Sequence, residues 1–483
     1  MDFLQVKNGL IADGKGRPVR LRGVNIGGWM NMEDFIGGFP GSEEGIRSAV
    51  ADCLGKNTAE FFFNRMLDHM FNEDDVRFIK ECGANAVRLP LNYRHFEDDS
   101  APFRYKEQGF RRLDRALELC EKHRIYAILD LHSVQGWQNT DWHCDNSSRH
   151  TFFWRHTQFQ DRFVALWEEF ARRYRDRAAA AGYDLMNEPI TNAWRGRFYN
   201  TYRPDWDVIN RVYRRTTEAV RRIDPKHIIY LEGDDFSRLF GGMDEPFDDN
   251  LVYSSHNYIE SGITGSYPGF IKTSGKGPGG AEAVWWDRSK QEEVFYGQEG
   301  TRFAQKYKAP LWISEFGSVY NVPGEEIAGH LRSLDDQLGI FDGFGAHWTI
   351  WTYKDLGVMG AVTLDPESDY MRIIKPVLEK KELLNANFGE TWRPANSARE
   401  KAADLADYIG AVVGGSYVDM AANRKYLAQN IFSVYAAVLM QPDFAARFKG
   451  MSEHRLDEVL EAFALKNCIR NQGLIDVLKR HML

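Results

Sequence analysis

The chain has 483 residues, a net charge of −8 and 43% apolar content, which provides for a large core. The acidic balance excludes the basic stripe of a nucleic-acid binder. Five cysteines, Cys53, Cys82, Cys120, Cys144 and Cys468, are odd in number and lack metal-ligand spacing, which excludes a disulfide framework or a zinc knuckle. No apolar run reaches membrane-spanning length, so no membrane partner is expected. The N-terminal stretch, residues 1–18, has no apolar leader segment, and a cytoplasmic location is expected unless a leader was removed.

In chain order, a hairpin over residues 3–20 is expected to cap one mouth of the fold. Strand-like runs follow at 21–26, 84–90, 125–132, 182–187, 227–233, 251–258, 310–317 and 344–353. Amphipathic stretches at 109–123, 158–176, 207–223, 289–307 and 325–338 separate them. Eight nearly continuous apolar strands interleaved with helices predict an α/β fold, a (β/α)8 TIM barrel over 1–385. An open doubly wound sheet would show a Gly-rich phosphate turn after an early strand, and none is present. Long connections at 27–71, 133–157 and 259–288 leave the C-terminal ends of strands, where barrel active sites lie. The Gly- and Ser-rich part, 262–280, reads as mobile. From residue 396 the pattern is helical throughout, including 474–483. An appended all-α domain over 396–483 is expected, packed on the barrel or on a second copy as a homo-oligomer.

Two motifs carry the chemistry. GYDLMNEP places Glu188, and LWISEFG places Glu315, just after buried strands. Two carboxyls facing each other across a barrel mouth suit cleavage of a glycosidic bond, one as acid and one as nucleophile. Either motif alone is weak. Residues with polar groups at the same end of six strands are not explained by packing: Arg88, His132, Asn187 with Glu188, His256 with Tyr258, Glu315, and Trp351. A buried Arg88 needs an anion, and Glu315 is the expected partner, kept ionised by it. Tyr258 is expected to donate to the same carboxylate, and Asn187 to a sugar 2-hydroxyl. Repulsion from Glu315 is expected to raise the pKa of Glu188 so that it holds a proton. The aromatic content, 13% with 13 Trp and 21 Tyr, also fits a carbohydrate ligand, although most rings are expected simply to fill the core.

The set RGVNIGGW, GANAVRLPLNY, ILDLH, YDLMNEP, SSHNY, WISEFG and HWTIWTYKD resembles glycoside hydrolase family 5, over roughly residues 20–380. The resemblance implies a retaining glycosidase with Glu188 as acid/base and Glu315 as nucleophile. Arg88, His132, Asn187, His256, Tyr258 and Trp351 then line the sugar subsite, and neither cofactor nor metal is implied. The loops RGVNIGGWMNMEDFI and DLHSVQGWQNTDWHCDN are similar to those of the exo-glucanase branch. That likeness implies Glu33 on the terminal sugar, with Trp137, Trp142 and His143 walling the pocket. The helical tail departs from the family pattern. The expectation is exo-attack on β-glucosides or short β-gluco-oligosaccharides. The alternatives are an endo-β-glucanase or β-mannanase, a furanoside-cleaving enzyme, or a carbohydrate-binding pseudo-enzyme.

Overall fold

A computed structural model of the chain describes residues 1–193, 202–258, 267–272, 283–386, 397–414 and 419–482. Eight parallel strands close into a barrel: β1 (Arg22–Asn25), β2 (Ala86–Asn92), β3 (Tyr126–Ser133), β4 (Ala180–Asp184), β5 (Ile228–Glu232), β6 (Leu251–His256), β7 (Leu311–Glu315) and β8 (His347–Ile350). Each strand pairs with its sequence neighbour, and β8 pairs with β1 through Trp348 and Arg22. All eight expected strands are present, with ends shifted by a few residues. The largest shift leaves Asn187 and Glu188 beyond β4, in its connecting loop.

Side chains alternate along each strand with a period of two. Outward residues such as Val87, Leu89, Leu129, Tyr183, Ile229, Tyr253 and Ile313 join the large core under the helices. Inward residues change character along the barrel axis. Near its N-terminal mouth Leu21, Ala86, Ile128, Ile228, Val252 and Trp312 form a separate apolar cluster, closed by Leu4 and Ile11 of the hairpin Gln5–Lys7 and Leu10–Ala12. Two to four residues further up, the inward positions are Asn25, Arg88, Asp130, Glu232, Ser254 and Ser314, all buried.

The helices follow the expected spans closely, as in Glu107–His123, Thr157–Tyr174 and Trp206–Arg221. The stretch 289–307 is two helices, Arg288–Gly297 and Glu299–Tyr307, broken at an extended Gln298. The long connection after β1 is itself helical, over Asp34–Gly37, Glu43–Leu54 and Lys56–Met70. The Gly- and Ser-rich stretch 262–280 lies outside the described residues except for 267–272, where Gly269–Lys272 pairs with Ala283–Trp286.

The tail is divided between two cores. Ala402, Phe432 and Met440 pack with Ala386 in a small cluster of their own. Phe444, Phe448, Leu456, Phe463, Leu474 and Leu478 belong instead to the main core. A short strand, Cys468–Arg470, pairs with Val362–Leu364 in the loop after β8. Lys354 of that loop donates to the carbonyl of Phe463 at 2.7 Å and to Asp75 at 2.7 Å. Gln441 donates to the carbonyl of Pro40, and Gln429 accepts from Arg149 at 3.0 Å. The tail therefore braces the loops after β1, β3 and β8, at the barrel face that carries the polar residues.

Candidate active site

Arg88 is the hub, with no solvent exposure. Its Nη1 donates to Glu315 Oε1 at 2.6 Å, and its Nη2 to Asn187 Oδ1 at 2.8 Å and Glu232 Oε1 at 3.1 Å. Its Nε donates to Asp184 at 3.0 Å, and Asp130 lies 3.1 Å away. Below it the guanidinium faces the Trp312 ring at 5.7 Å, where the polar layer meets the apolar one. Burial opposes the charge on Arg88, but Asp130, Asp184, Glu315 and Glu232 outweigh it and raise its pKa. Glu315 is the expected partner, but one of four. Asp130, Asp184 and Glu232 were not singled out from the sequence. The signal lay in their register: Asp130 is two residues before His132 on the same inward face, and Glu232 ends β5.

Tyr258 donates to Glu315 Oε2 at 3.0 Å, so both oxygens of this carboxylate are held. Gly317 follows two residues later, where a Cβ would run into the carbonyl oxygen of Trp351. The glycine of the SEFG motif thus allows β7 and β8 to come close together. Trp351 stacks on His132 at 5.3 Å and 14°.

Glu188 is gripped from several sides. Its backbone has φ +46°, a region that L residues rarely occupy, and its N–H donates to Glu232 at 2.8 Å. Asn139 donates to its carbonyl at 2.8 Å, and Gln138 donates to the carbonyl of Asn187 at 2.9 Å. The loop after β3 therefore fixes the strained turn. The carboxylate meets His256 Nδ1 at 2.7 Å and His143 Nε2 at 3.0 Å, one on each oxygen. One oxygen of Glu188 and one of Glu315 lie within 4.8 Å of each other, with His256 between them.

The charges in this layer correct one expectation. Burial favours the neutral form of Glu188, but His256 and His143 overcome it and hold the carboxyl below the usual carboxylate range. Repulsion from Glu315 is therefore not what governs it in the unliganded site. Burial likewise opposes the charge on both imidazoles, yet Glu315, Glu232 and Glu188 raise His256, and Glu188, Asp141 and Glu315 raise His143. These shifts favour a carboxylate at Glu188 and charged imidazoles at the two histidines that touch it. His132, by contrast, is pushed down to about 3 by burial. Burial pushes Asp130 up to about 8, and Asp184 and Glu33 well above their usual range.

Asn187 accepts from Arg88 and places its Nδ2 3.2 Å from His132 Nε2. Glu33 is buried at the start of the helix Asp34–Gly37, with Oε1 3.6 Å from His132 and no hydrogen-bond partner among the described residues. Trp142 is buried against Phe35. Trp137 is the exception among the expected site residues. Its indole N–H donates to the carbonyl of Asp145 at 2.8 Å, and its ring lines a separate cavity with Phe103 and Phe159. Phe236, not anticipated, lies 6.1 Å from the His143 ring, on a turn whose residues Asp235, Phe236 and Ser237 all have positive φ.

A family description reading "Cellulase (glycosyl hydrolase family 5)" matches residues 54–357, more than half of the chain. The chain belongs to glycoside hydrolase family 5. A beta-xylosidase of Phanerodontia chrysosporium is 36% identical over 498 residues, covering 99% of this chain and 98% of that protein, so the alignment includes the helical tail. Cellodextrinase A of Ruminococcus flavefaciens is 26% identical, covering 63% of this chain and 78% of its own. A glucan 1,3-beta-glucosidase of Pichia angusta is 24% identical, covering 69% and 81%. Among solved structures, an endogalactoceramidase shares the barrel with a TM-score of 0.52 at 19% identity, over 74% of this chain and 75% of that one. The chain is a glycoside hydrolase built on the barrel that its strand pattern predicts. Among the described residues, no helix is long and apolar enough to cross a membrane.

Proposed function

We propose that this hydrolase is an exo-acting retaining β-glycosidase that removes a terminal β-glucosyl or β-xylosyl residue from small glycosides and short oligosaccharides. One observation carries the exo reading: Glu33 presents a buried, unpartnered oxygen beside His132. A buried acceptor of this kind is costly unless a ligand donor meets it, and the hydroxyls of a chain-terminating sugar supply that donor. The beta-xylosidase relative supports a short, terminal substrate and adds xylose to the glucose expected from the loops.

The approach of Glu188 and Glu315 to within 4.8 Å supports double displacement, because inverting enzymes keep their carboxyls about 6.5–9.5 Å apart. In the first step Glu315 attacks the anomeric carbon while Glu188 passes a proton to the leaving oxygen. That proton reaches Glu188 from His256 or His143 through their contacts with it, so Glu188 is left as a carboxylate for the second step, and the proton taken up there returns to the histidine. In the second step Glu188 takes a proton from water, which displaces the sugar from Glu315. Asn187, fixed by Arg88, supports the 2-hydroxyl in both transition states. A panel of nitrophenyl β-glycosides, with product sizing on xylo- and cello-oligosaccharides, tests the reading. Release of single sugars from the non-reducing end is expected. Mid-chain cleavage giving mixed oligomers would replace it with an endo-acting one.

The helix Ser397–Val413 exposes Leu405, Tyr408, Ile409, Val412 and Val413, and Tyr435, Val438 and Leu439 are exposed nearby. Each of these eight large side chains is at least 40% exposed, and a concentration of exposed apolar side chains marks an interaction surface. We infer a second copy of this chain as its cover. Light scattering should give a dimer mass, and Tyr408→Glu should shift it to the monomer. A monomeric parent chain would refute the inference.

A further inference from the structure

Beside the active site, a cavity of about 500 Å³ opens between the loops after β2 and β3 and the start of the helix Thr157–Tyr174. That volume falls within the ~300–1,000 Å³ range of small-ligand sites. Neither Glu188 nor Glu315 lines it. Its walls carry four aromatic rings, Tyr93, Phe103, Trp137 and Phe159, and three charged groups, Arg94, Asp99 and Arg162.

The rings are held in place. Phe103 is 53% exposed in the strand Ala101–Tyr105, at an irregularity in its pairing with Glu97–Asp98, and has φ +63°. Its N–H is tied at 2.5 Å to Glu97, which is completely buried and also accepts from Gln135 at 2.7 Å and Arg162 at 3.1 Å. Trp137 has φ +60°, and its indole N–H is spent on the carbonyl of Asp145. Gly136 permits this arrangement, because a Cβ there would collide with the ring of Phe159. An exposed ring on a strained but well-anchored backbone is costly for folding alone, and such strain persists where function uses it.

The polar groups are matched and equally fixed. Arg94 pairs with Asp99 at 2.6 Å, Glu44 at 3.1 Å and Asp145 at 3.1 Å. Arg162 reaches the other oxygen of Asp99 at 2.8 Å, and Tyr93 donates to Asp99 at 2.8 Å. Burial opposes the charge on Asp99, but Arg94, Tyr93 and Arg162 outweigh it, so the carboxylate persists. With each guanidinium neutralised, no surplus positive charge awaits a phosphate or an acidic ligand. The cavity instead offers planar N–H and oxygen edges beside ring faces, which suit hydroxyls and the apolar C–H faces of a sugar.

We propose that this cavity is a second carbohydrate-binding site, distinct from the catalytic pair, which takes a neutral β-linked oligosaccharide on Phe103, Trp137 and Phe159. It holds the polymer or oligomer to the enzyme while chain ends are processed at Glu188 and Glu315. The site does not depend on whether the enzyme is exo- or endo-acting.

Affinity electrophoresis of the full chain, in gels containing soluble xylan or β-glucan, tests the proposal. In a Glu315→Ala background, which leaves the polymer intact, retardation is expected and should persist when a nitrophenyl β-glycoside saturates the active site. Adding Phe103→Ala or Trp137→Ala should raise the apparent Kd about tenfold, the loss of one stacking platform. In the otherwise native chain, Phe103→Ala should leave kcat/KM on the nitrophenyl glycoside within about twofold. Absence of retardation, retardation abolished by the small glycoside, or retardation in both ring variants undiminished from that of Glu315→Ala alone would each overturn the proposal.

Discussion

The two ends of the barrel are built from the same strands and have opposite chemistry. At the N-terminal mouth, inward Leu21, Ile128, Ile228, Val252 and Trp312 pack under Leu4 and Ile11 without a charged group. Two to four residues further along, the inward positions hold Arg88, Asp130, Asp184 and Glu232, as deeply buried as the apolar cluster below. The lower layer gains stability from each methylene removed from water. The upper layer bears the cost of desolvating ions, recovered only because each ion has partners. One end holds the barrel closed, and the other stores the electrostatics that catalysis uses.

Variants at the two ends should therefore fail differently. Glu315→Ala should lose about 10⁵-fold in kcat, about 7 kcal/mol of transition-state stabilisation, with an unchanged Tm. Azide should partly restore turnover by taking the place of the carboxylate, and full activity without it would remove Glu315 from its role. Arg88→Met leaves Asp130, Asp184, Glu232 and Glu315 without their shared cation. A loss of about 3–5 kcal/mol in stability, together with activity, is expected from urea melts and kinetics. A stable Arg88→Met protein would show that Glu232 and Glu315 do not depend on this cation, and that they can be held neutral as burial favours for Asp130 and Asp184. Ile228→Ala, at the lower end, should cost about 3 kcal/mol in the same melts while kcat/KM stays within about twofold. A large kinetic effect there would mean that the two layers are coupled.

The smallest effect is expected from His143→Asn and depends on pH. The folded pKa of His143 is raised above its unfolded value by Glu188, Asp141 and Glu315, against the cost of burial. A raised pKa contributes stability that is fully present below the unfolded value of about 6.5 and is lost as pH rises through the folded value. Glu188 and Glu315 face His143 from the ends of β4 and β7, Asp141 from its own turn, and His132 from β3. The Tm of His143→Asn should fall below that of the parent at mildly acidic pH, and the gap should close at alkaline pH. A gap independent of pH would assign His143 a packing role only.

Much of the site was legible from residue type and position. Arg88, His132, Asn187, His256, Tyr258, Glu315 and Trp351 stood out because a polar side chain at the end of an apolar strand has no packing reason to be there. All seven converge on one rim. Asp130 and Asp184 were hidden inside the quoted motifs, since their burial depends on which face of the strand turns inward. Glu232 ended a strand that seemed purely structural. His143 and Trp137 lie six residues apart in one loop with similar sequence signals, yet one reaches Glu188 and the other faces a different cavity. Loop residues have no fixed period, so their direction is set by long-range contacts such as those of Asn139 and Gln138 with the turn after β4.

By itself the sequence determined the barrel, the order of its strands and which two glutamates are proposed as acid/base and nucleophile, because strand and helix periodicities and strand-end polarity are local properties. Only the tertiary structure decided where the protons rest. The pKa of Glu188 depends on His256 and His143, brought to its two oxygens from β6 and from the loop after β3, and no local pattern encodes that meeting. The tail's role was decided in the same way. Its helices were visible as helices, but their division between a separate cluster and the barrel core follows from contacts hundreds of residues apart in the chain, as between Gln441 and Pro40.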